Sequence, residues 1–403
     1  MTQQAAVQWI KSLSKLGRVL VFGGSHQSPL LVASRFDRIP YSEVKDLKPS
    51  GKSTDHIIGF LSYDDMVAQK FENSFFYRVQ EGMFFDFRSG HHGAIGDMDC
   101  KWVENLSAEP KELSHAPSFK DFPVGLEPLQ SDESYLEVCR KALDSIREGR
   151  FYQINLLRFF KVLISSRDRF VDHWLRFSGD QGALLIDENR EIFSYSPEQF
   201  VVLNRAVCPP RIETYPIKGT RRRSPDPQID AELRTDLETS SKDRAELSMI
   251  IDLMRNDLAR VSKKNTVRVD DPGQVLSYGT VHHLVAKISC EILDDVTLSQ
   301  LFSILPAGSI TGAPKVEVMA AISELENRNR GFFMGSAFHL PPSGDFRSTV
   351  MIRTAVKVGD EYQYAAGSGI VVKSVPEEEM AEIFVKCRVL SGDQDESTFD
   401  NFK

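Results

Sequence analysis

The sequence predicts a large α+β fold, with mainly antiparallel sheets packed as a sandwich and helices outside. Three observations carry this. Runs of β-branched and aromatic residues recur from residue 19 to residue 366 and dominate the pattern. Helical patterns fall between them irregularly, without the alternation that a parallel βαβ sheet requires. The chain has 403 residues, 41% of them hydrophobic, and a chain of that size can bury about three quarters of its unfolded surface.

The elements follow in order. Val7, Ile10, Leu13 and Leu16 recur at helical spacing, and Val19-Leu20-Val21-Phe22 reads as a strand ending at Gly23-Gly24. Stretches 57–63 and 83–87 read as buried strands. Stretch 107–125 is rich in Pro, Ser, Glu and Lys and reads as a linker. It separates an N-terminal region, 1–118, from a second region, 127–395, the two intertwined as one large unit. A helix is predicted over 132–148, with Leu136, Cys139, Leu143 and Ile146 on one face and Gly149 closing it. Strands follow at 156–164, 183–186, 191–195, 200–203, 285–290, 349–358 and 362–366, with helices near 230–259, 296–304, 315–326 and 376–390.

Composition excludes several classes. A net charge of −8 and a pI near 5.7 leave no basic footprint for nucleic acid. A local anion site stays open, because a site's field is local. The five cysteines, Cys100, Cys139, Cys208, Cys290 and Cys387, are odd in number and widely spaced. They read as buried free thiols in a reducing compartment, so a cytoplasmic location is expected. The first residues lack a charged segment followed by an apolar run, so no secretory signal is expected. No stretch reaches the roughly 18 apolar residues of a membrane span. Gly51-Lys52-Ser53-Thr54 looks like the tail of a phosphate loop but has Asp46 where the first glycine belongs. His91-His92 reads as an exposed Gly-rich turn, and Arg221-Arg222-Arg223 as a solvated loop.

Two helices carry acidic side chains beside apolar faces. In the last, Ser374-Val375-Pro376-Glu377 reads as a capping box with Pro just inside. Met380, Ile383, Phe384, Cys387 and Leu390 make its core face, and Glu379, Glu382 and Lys386 the adjoining strip. This is either a solvated face or an oxygen site for a hard cation such as Mg²⁺. The other helix opens with Ser240 and Asp243. Its Glu246 shares the strip of Ile250 and Leu253, so it faces the core and needs a salt bridge, a donor or a cation. Each helix could supply one carboxylate to a single Mg²⁺.

Other segments suit an anionic ligand. The stretch Pro306-Ala307-Gly308-Ser309-Ile310-Thr311-Gly312-Ala313-Pro314-Lys315 opens a helix and offers N–H groups and a lysine. Ala366-Gly367-Ser368-Gly369 allows close backbone approach, unless its glycines only serve turns with positive φ. Arg353, in an apolar strand, pairs with a carboxylate if it points inward. Lys218, between Pro216 and Gly219, is a nucleophile if partly desolvated and otherwise a surface lysine. Glu198 could be a general acid or a surface carboxylate. On these residues alone, a Mg²⁺-dependent enzyme acting on a small anion is expected.

Taken together the segments resemble the chorismate-utilising enzymes, which comprise the anthranilate, aminodeoxychorismate, isochorismate and salicylate synthases. The motifs are Phe151-Tyr152-Gln153-Ile154-Asn155-Leu156, Ser196-Pro197-Glu198, Pro216-Ile217-Lys218-Gly219-Thr220-Arg221, 241–246 running into Asp252-Leu253-Met254-Arg255-Asn256-Asp257-Leu258, then 306–315, Ile352-Arg353-Thr354 and 367–386. The N-terminal region resembles the family more loosely, through Ile58-Gly59-Phe60-Leu61-Ser62-Tyr63-Asp64.

The resemblance implies Mg²⁺ on Glu246 and Glu382 with Glu379 nearby, Glu198 as acid and Lys218 as covalent nucleophile. It implies substrate contacts by Arg353, Lys386, Gly367, Ser368, Gly369, His283, Gly219, Thr220 and Thr311. Members that add water to chorismate resemble one another in a lysine where this chain has Gln153. Anthranilate synthases typically read alanine at the position of Lys218, so the lysine form is similar to the aminodeoxychorismate branch, which leads to 4-aminobenzoate and folate. That branch implies three further components: chorismate, ammonia from a separate glutamine amidotransferase subunit, and a separate downstream aminodeoxychorismate lyase. Amination at C2, as in anthranilate synthesis, and a non-catalytic chorismate-binding homologue are the alternatives. The chain departs from the family pattern in a longer Glu198–Lys218 spacing, with Cys208-Pro209-Pro210-Arg211 as the insertion. Arg222 also stands where proline is usual. No Leu-Leu-Glu-Ser segment is present, so tryptophan regulation is not expected.

Overall fold

A computed structural model describes residues 3–23, 30–50, 54–86, 91–96, 124–164, 166–178, 181–188, 190–277 and 281–391. The phosphate-loop look-alike at 51–53, Cys100 and the linker stretch 107–123 lie outside the described residues.

Alternation of apolar and polar residues makes strands, and among the described residues they join into one hydrogen-bonded network of 19 strands. Every recorded pairing is antiparallel. The ribbon runs from Gly125–Pro128 through Gln153–Leu163, Glu361–Val371, Thr354–Val358 and Arg190–Ser194 to Ala183–Asp187. It continues through Arg18–Phe22, Leu30–Ile39, Phe75–Asp86 and His56–Leu61 to Gly335–Leu340. Phe346–Met351, Gln199–Asn204, Arg211–Thr214 and Val281–Glu291 complete it, and Ile217–Arg222 and Arg268–Ser277 pair with the last of these. The chain's first strand thus pairs with Ala183–Asp187, and His56–Leu61 pairs with Gly335–Leu340.

The ribbon folds back on itself. Phe22 and His339 lie several strands apart along it, yet their ring centroids are 5.8 Å apart. Phe36, Phe60, Phe76, Tyr77 and Phe338 fill the space between the layers, each at most 1% exposed. The α+β class with antiparallel sheets and outer helices is therefore the observed one. Helices Asp132–Arg147 and Pro376–Ser391 cover one face, burying Cys139, Leu143, Ile383, Cys387 and Leu390.

Several local expectations change. The predicted helix 230–259 is two, Pro227–Thr239 and Ser241–Ala259. They break at Ser240, whose extended backbone (ψ 108°) lets its hydroxyl accept from Asp243 N–H. Ser374 does not cap the last helix through Glu377. Its hydroxyl accepts from Val371 N–H and donates to Glu379. His91 and His92 open strand His91–Ile95 instead of a turn. Arg221 and Arg222 end strand Ile217–Arg222 instead of lying in a loop. Arg222 and Arg223 are exposed as expected, while Arg221 pairs with Asp236 at 2.6 Å and Asp243 at 3.2 Å, and Arg223 with Asp230 at 2.8 Å. Cys139, Cys290 and Cys387 are buried free thiols, whereas Cys208 is exposed. Among the described residues no helix is long and apolar enough to cross a membrane.

One buried ion pair ties distant segments together. Arg330 and Glu326 side chains are 1% and 3% exposed and meet at 2.6 Å. Arg330 also donates to the carbonyls of Asn155 at 2.7 Å and Ile310 at 3.3 Å. Glu326 accepts from Leu157 N–H at 2.8 Å, and Asp64 accepts from Gly331 N–H at 2.8 Å. Truncating Glu326 would leave a buried guanidinium without its counter-charge. Glu326→Ala should therefore lose about 3–5 kcal/mol in denaturant unfolding. A loss under 1 kcal/mol would mean that the pair is dispensable.

Candidate active site

Glu198 sits where the edge between two strand pairs is pinned. Ser196 Oγ bonds Val350 O at 2.6 Å, and Val350 N–H donates to Glu198 O at 3.1 Å. The Glu198 carboxylate, half-buried, accepts from Ser309 Oγ at 2.8 Å. Burial pushes its carboxyl above the usual range, against the Ser309 bond and the charges of Lys218, Arg353 and Lys386.

Lys218 lies on strand Ile217–Arg222, where the register against Val281–Glu291 shifts between Ile217 and Thr220. Gly219 takes φ +81° there, and a Cβ on it would meet Leu237 Cδ1 at 2.7 Å and Asp243 Cγ at 2.9 Å. This bulge re-aims the lysine. Lys218 is half-buried. Its charge acts on both Glu198 and Glu246. The insertion Cys208-Pro209-Pro210-Arg211 falls in the hairpin between Gln199–Asn204 and Arg211–Thr214, whose ends pair as Asn204 with Arg211. Glu198 immediately precedes the first strand of that hairpin, and Lys218 lies on the strand that follows the second.

Glu246 is half-buried and accepts no hydrogen bond among the described residues. Burial pushes its carboxyl up, Lys218 and Lys242 pull it down, and Asp243 and Glu379 push it up again. The charge of Glu379, on the last helix, thus reaches Glu246. Glu379 accepts from Ser374 Oγ at 2.6 Å and from Ser368 Oγ. Glu382 is exposed and pairs with Lys386 at 2.6 Å, while Lys386 also donates to Gly367 O at 2.7 Å. Among the described residues, no three His, Cys, Asp or Glu side chains form a metal-binding group. Mg²⁺ commonly takes one or two protein carboxylates and fills its shell with water and substrate. Two mutually repelling, half-buried carboxylates suit such a cation.

The remaining residues divide. Arg353 is not inside a strand: it joins two strands with φ +51°, and its exposed guanidinium acts on Glu198 and His283. His283 Nδ1 bonds Thr220 Oγ1 at 2.9 Å, and burial lowers its pKa. Gly367, Ser368 and Gly369 lie in the interior of strand Glu361–Val371, not in a turn, and neither glycine has positive φ. A Cβ on Gly367 would meet Asn155 Oδ1 at 2.6 Å, and one on Gly369 would meet Gln153 Nε2 at 3.2 Å. Thr311 is turned away, fully buried, its hydroxyl donating to Ala307 O at 3.0 Å. Lys315 is no anion ligand: Asp257 and the carbonyls of Ile304 and Pro306 consume its ammonium. The sequence reading missed Ser309 and Asn155 as site residues. Asn155 Oδ1 and Gln153 Oε1 are buried with no hydrogen-bond partner, which no sequence pattern announces.

Comparison with known proteins shows the family and the fold. Residues 14–392 match the profile of the family described as chorismate binding enzyme. Aminodeoxychorismate synthase component 1 of Escherichia coli (strain K12) is 36% identical over 296 residues, 71% of this chain and 61% of that protein. Anthranilate synthase component 1 of Aquifex aeolicus (strain VF5) is 34% identical over 277 residues, 68% of this chain and 54% of its own length. The matched stretches thus span less than two thirds of these relatives. Among solved structures, anthranilate synthase component I from Streptococcus pneumoniae TIGR4 superposes with a TM-score of 0.72 at 23% identity, covering 93% of this chain and 90% of its own. The menaquinone-specific isochorismate synthase of Escherichia coli does so with 0.74 at 18%, covering 96% and 90%. These two likenesses show the fold.

The raised Glu198 carboxyl has a consequence for stability. Its unfolded counterpart ionises near 4.3, and in the fold it holds its proton to higher pH. The penalty for its charge is absent at low pH and grows as pH rises through the folded pKa. Glu198→Gln should therefore melt higher than wild type at pH 8, with the difference vanishing towards pH 4. An equal or lower melting point at pH 8 would contradict the burial assignment.

Proposed function

The chain belongs to the family of chorismate binding enzymes, and from that premise we propose that it aminates chorismate at C4 to give 4-amino-4-deoxychorismate. The observation that carries the reading is Lys218, half-buried beside the Gly219 bulge, with its charge acting on both Glu198 and Glu246. A nucleophile, an acid and a cation-binding carboxylate are the parts that a double displacement needs.

Lys218, as the free amine, forms a bond to C2 while the C4–oxygen bond breaks. Glu198 gives its proton to the departing oxygen, which leaves as water. Ammonia then bonds to C4, the C2–nitrogen bond breaks, and the lysine amine is released. The new ammonium returns a proton to Glu198. Arg353, Lys386 and the Gly367–Ser368–Gly369 backbone would bind the substrate carboxylates, with His283, Gly219 and Thr220 lining the pocket. Glu246 and Glu379, with Glu382 on the next turn, would hold Mg²⁺, which when bound neutralises the ring carboxylate and withdraws charge from the ring. Ammonia would come from a separate glutamine amidotransferase, and a separate lyase would release 4-aminobenzoate for folate.

Amination at C2 is the second reading. The observation favouring it is the 34% identity to an anthranilate synthase component, close to the 36% identity to the aminodeoxychorismate synthase component. Lys218 favours C4, because a covalent amine at C2 blocks that carbon and opens C4.

Two experiments test the reading. With chorismate, Mg²⁺ and excess ammonium, the protein should form aminodeoxychorismate, resolved by mass and absorbance, and Lys218→Ala should lose it or shift to anthranilate. Anthranilate from wild type would assign the C2 reaction instead. Glu246→Gln should abolish Mg²⁺-dependent turnover, and retained activity would remove Glu246 from the metal site.

A further inference from the structure

The turn Gly308–Ile310 is held from every side. Thr311 Oγ1 donates back to Ala307 O at 3.0 Å, and Asn155 N–H donates to Thr311 O at 2.7 Å. Arg330, 1% exposed, donates to Ile310 O at 3.3 Å. Ala307 and Ile310 are buried in the core. Gly308 lies so near helix Ser241–Ala259 that a Cβ would sit 3.1 Å from Leu253 Cδ1. Such a turn cannot drift without moving the strand, the helix and the buried ion pair together. Ser309 is the residue of this turn whose side chain reaches the charged cluster. Its hydroxyl donates to Glu198 Oε1 at 2.8 Å, while Glu198 Oε2 has no hydrogen bond among the described residues.

We infer that Ser309 is a positioning residue for Glu198, fixing one carboxyl oxygen so that the other is presented to the departing hydroxyl. This rests on the chorismate-amination reading and adds a residue to it. The groups facing Glu198 are Ser309, Lys218, Arg353 and Lys386. The three cations act on Glu198 through charge, Lys386 being spent on Glu382 and Gly367 O, and the Ser309 hydroxyl is the one that donates a hydrogen bond to it among the described residues. A donor on Oε1 also favours the ionised carboxyl, so it eases release of the proton.

The test is Ser309→Ala in the full chain, assayed with chorismate, saturating ammonium and Mg²⁺ from pH 6 to pH 9. We expect kcat to fall about tenfold, a modest part of what a positioned acid contributes, with KM for chorismate nearly unchanged. The alkaline limb should move to higher pH, and Ser309→Thr should restore most of the rate. An unchanged kcat and limb, or a loss confined to KM, would overturn the inference. A thermal double-mutant cycle reads the same bond without substrate. The stabilisation by Glu198→Gln at pH 8 should be larger in the Ser309→Ala background than in wild type. Additive effects would sink the positioning role whether or not chorismate is turned over. Coupling without any turnover by wild type would sink the amination reading and leave the Ser309–Glu198 contact standing.

Discussion

Arg330 and Glu326 have no route to water, and much of the molecule is arranged around that fact. A buried guanidinium must spend its donors within the protein. It spends them on Glu326 and on the carbonyls of Asn155 and Ile310. Glu326 in turn accepts from Leu157 N–H, and Asp64 accepts from the backbone of the turn that carries Arg330. Three remote segments are thereby fastened at one point: the early helix Tyr63–Ala68, the strand Gln153–Leu163 and the turn Gly308–Ile310. The long ribbon could curl in many ways. This junction fixes the curl at the place where the charged cluster forms.

The cluster itself runs against stability. Glu198 and Glu246 are pushed towards their neutral forms by burial, and Glu379 adds like-charge repulsion to Glu246. Lys218 answers both carboxylates but makes no direct contact with either among the described residues. Elsewhere the chain satisfies its charges closely: Glu191 is held by Arg167, Lys357 and Tyr362, and Asp257 by Lys315. The contrast locates the site better than any cavity does. Carboxylates that meet only hydroxyls, as Glu198 and Glu379 do, or no donor among the described residues, as Glu246 does, beside a lysine with no carboxylate in contact, are groups set aside for something that arrives.

The legible part of the sequence was its periodicity. Helical spacing put Glu246 on the strip of Ile250 and Leu253, where it is half-buried, and Glu379 beside the core face of the last helix, where two serines hold it. Alternating and continuous apolar runs gave the antiparallel class. Backbone punctuation was only half legible. Pro216 and Gly219 marked Lys218, and the bulge is there. Gly367 and Gly369 read either as a place of close backbone approach or as turn residues; they lie in a strand, and the approach is to Asn155 and Gln153 across a strand pair. Long-range partners were not legible at all. Ser309 meets Glu198, and Arg330 meets Asn155, across more than a hundred residues. Lys315 looked available for an anion because its partner Asp257 lies on another helix. Arg353 read as a strand residue, because no local pattern announces a left-handed joint between two strands.

Gln153 and Asn155 bear on the proposed choice of nucleophile. Gln153 Oε1 and Asn155 Oδ1 are buried without donors, next to the strand carrying Gly367 and Gly369. An amide oxygen accepts a hydrogen bond but does not remove a proton. Water needs a base to become a competent nucleophile, whereas ammonia brings its own lone pair and needs only to be oriented. A pair of unpartnered amide oxygens is therefore suited to hold an N–H nucleophile and unsuited to activate water. The same two residues explain why the neighbouring positions are glycines: any side chain at Gly367 would fill the space that Asn155 faces. Under the proposed amination these two amides would orient ammonia, and neither would serve as a base for water.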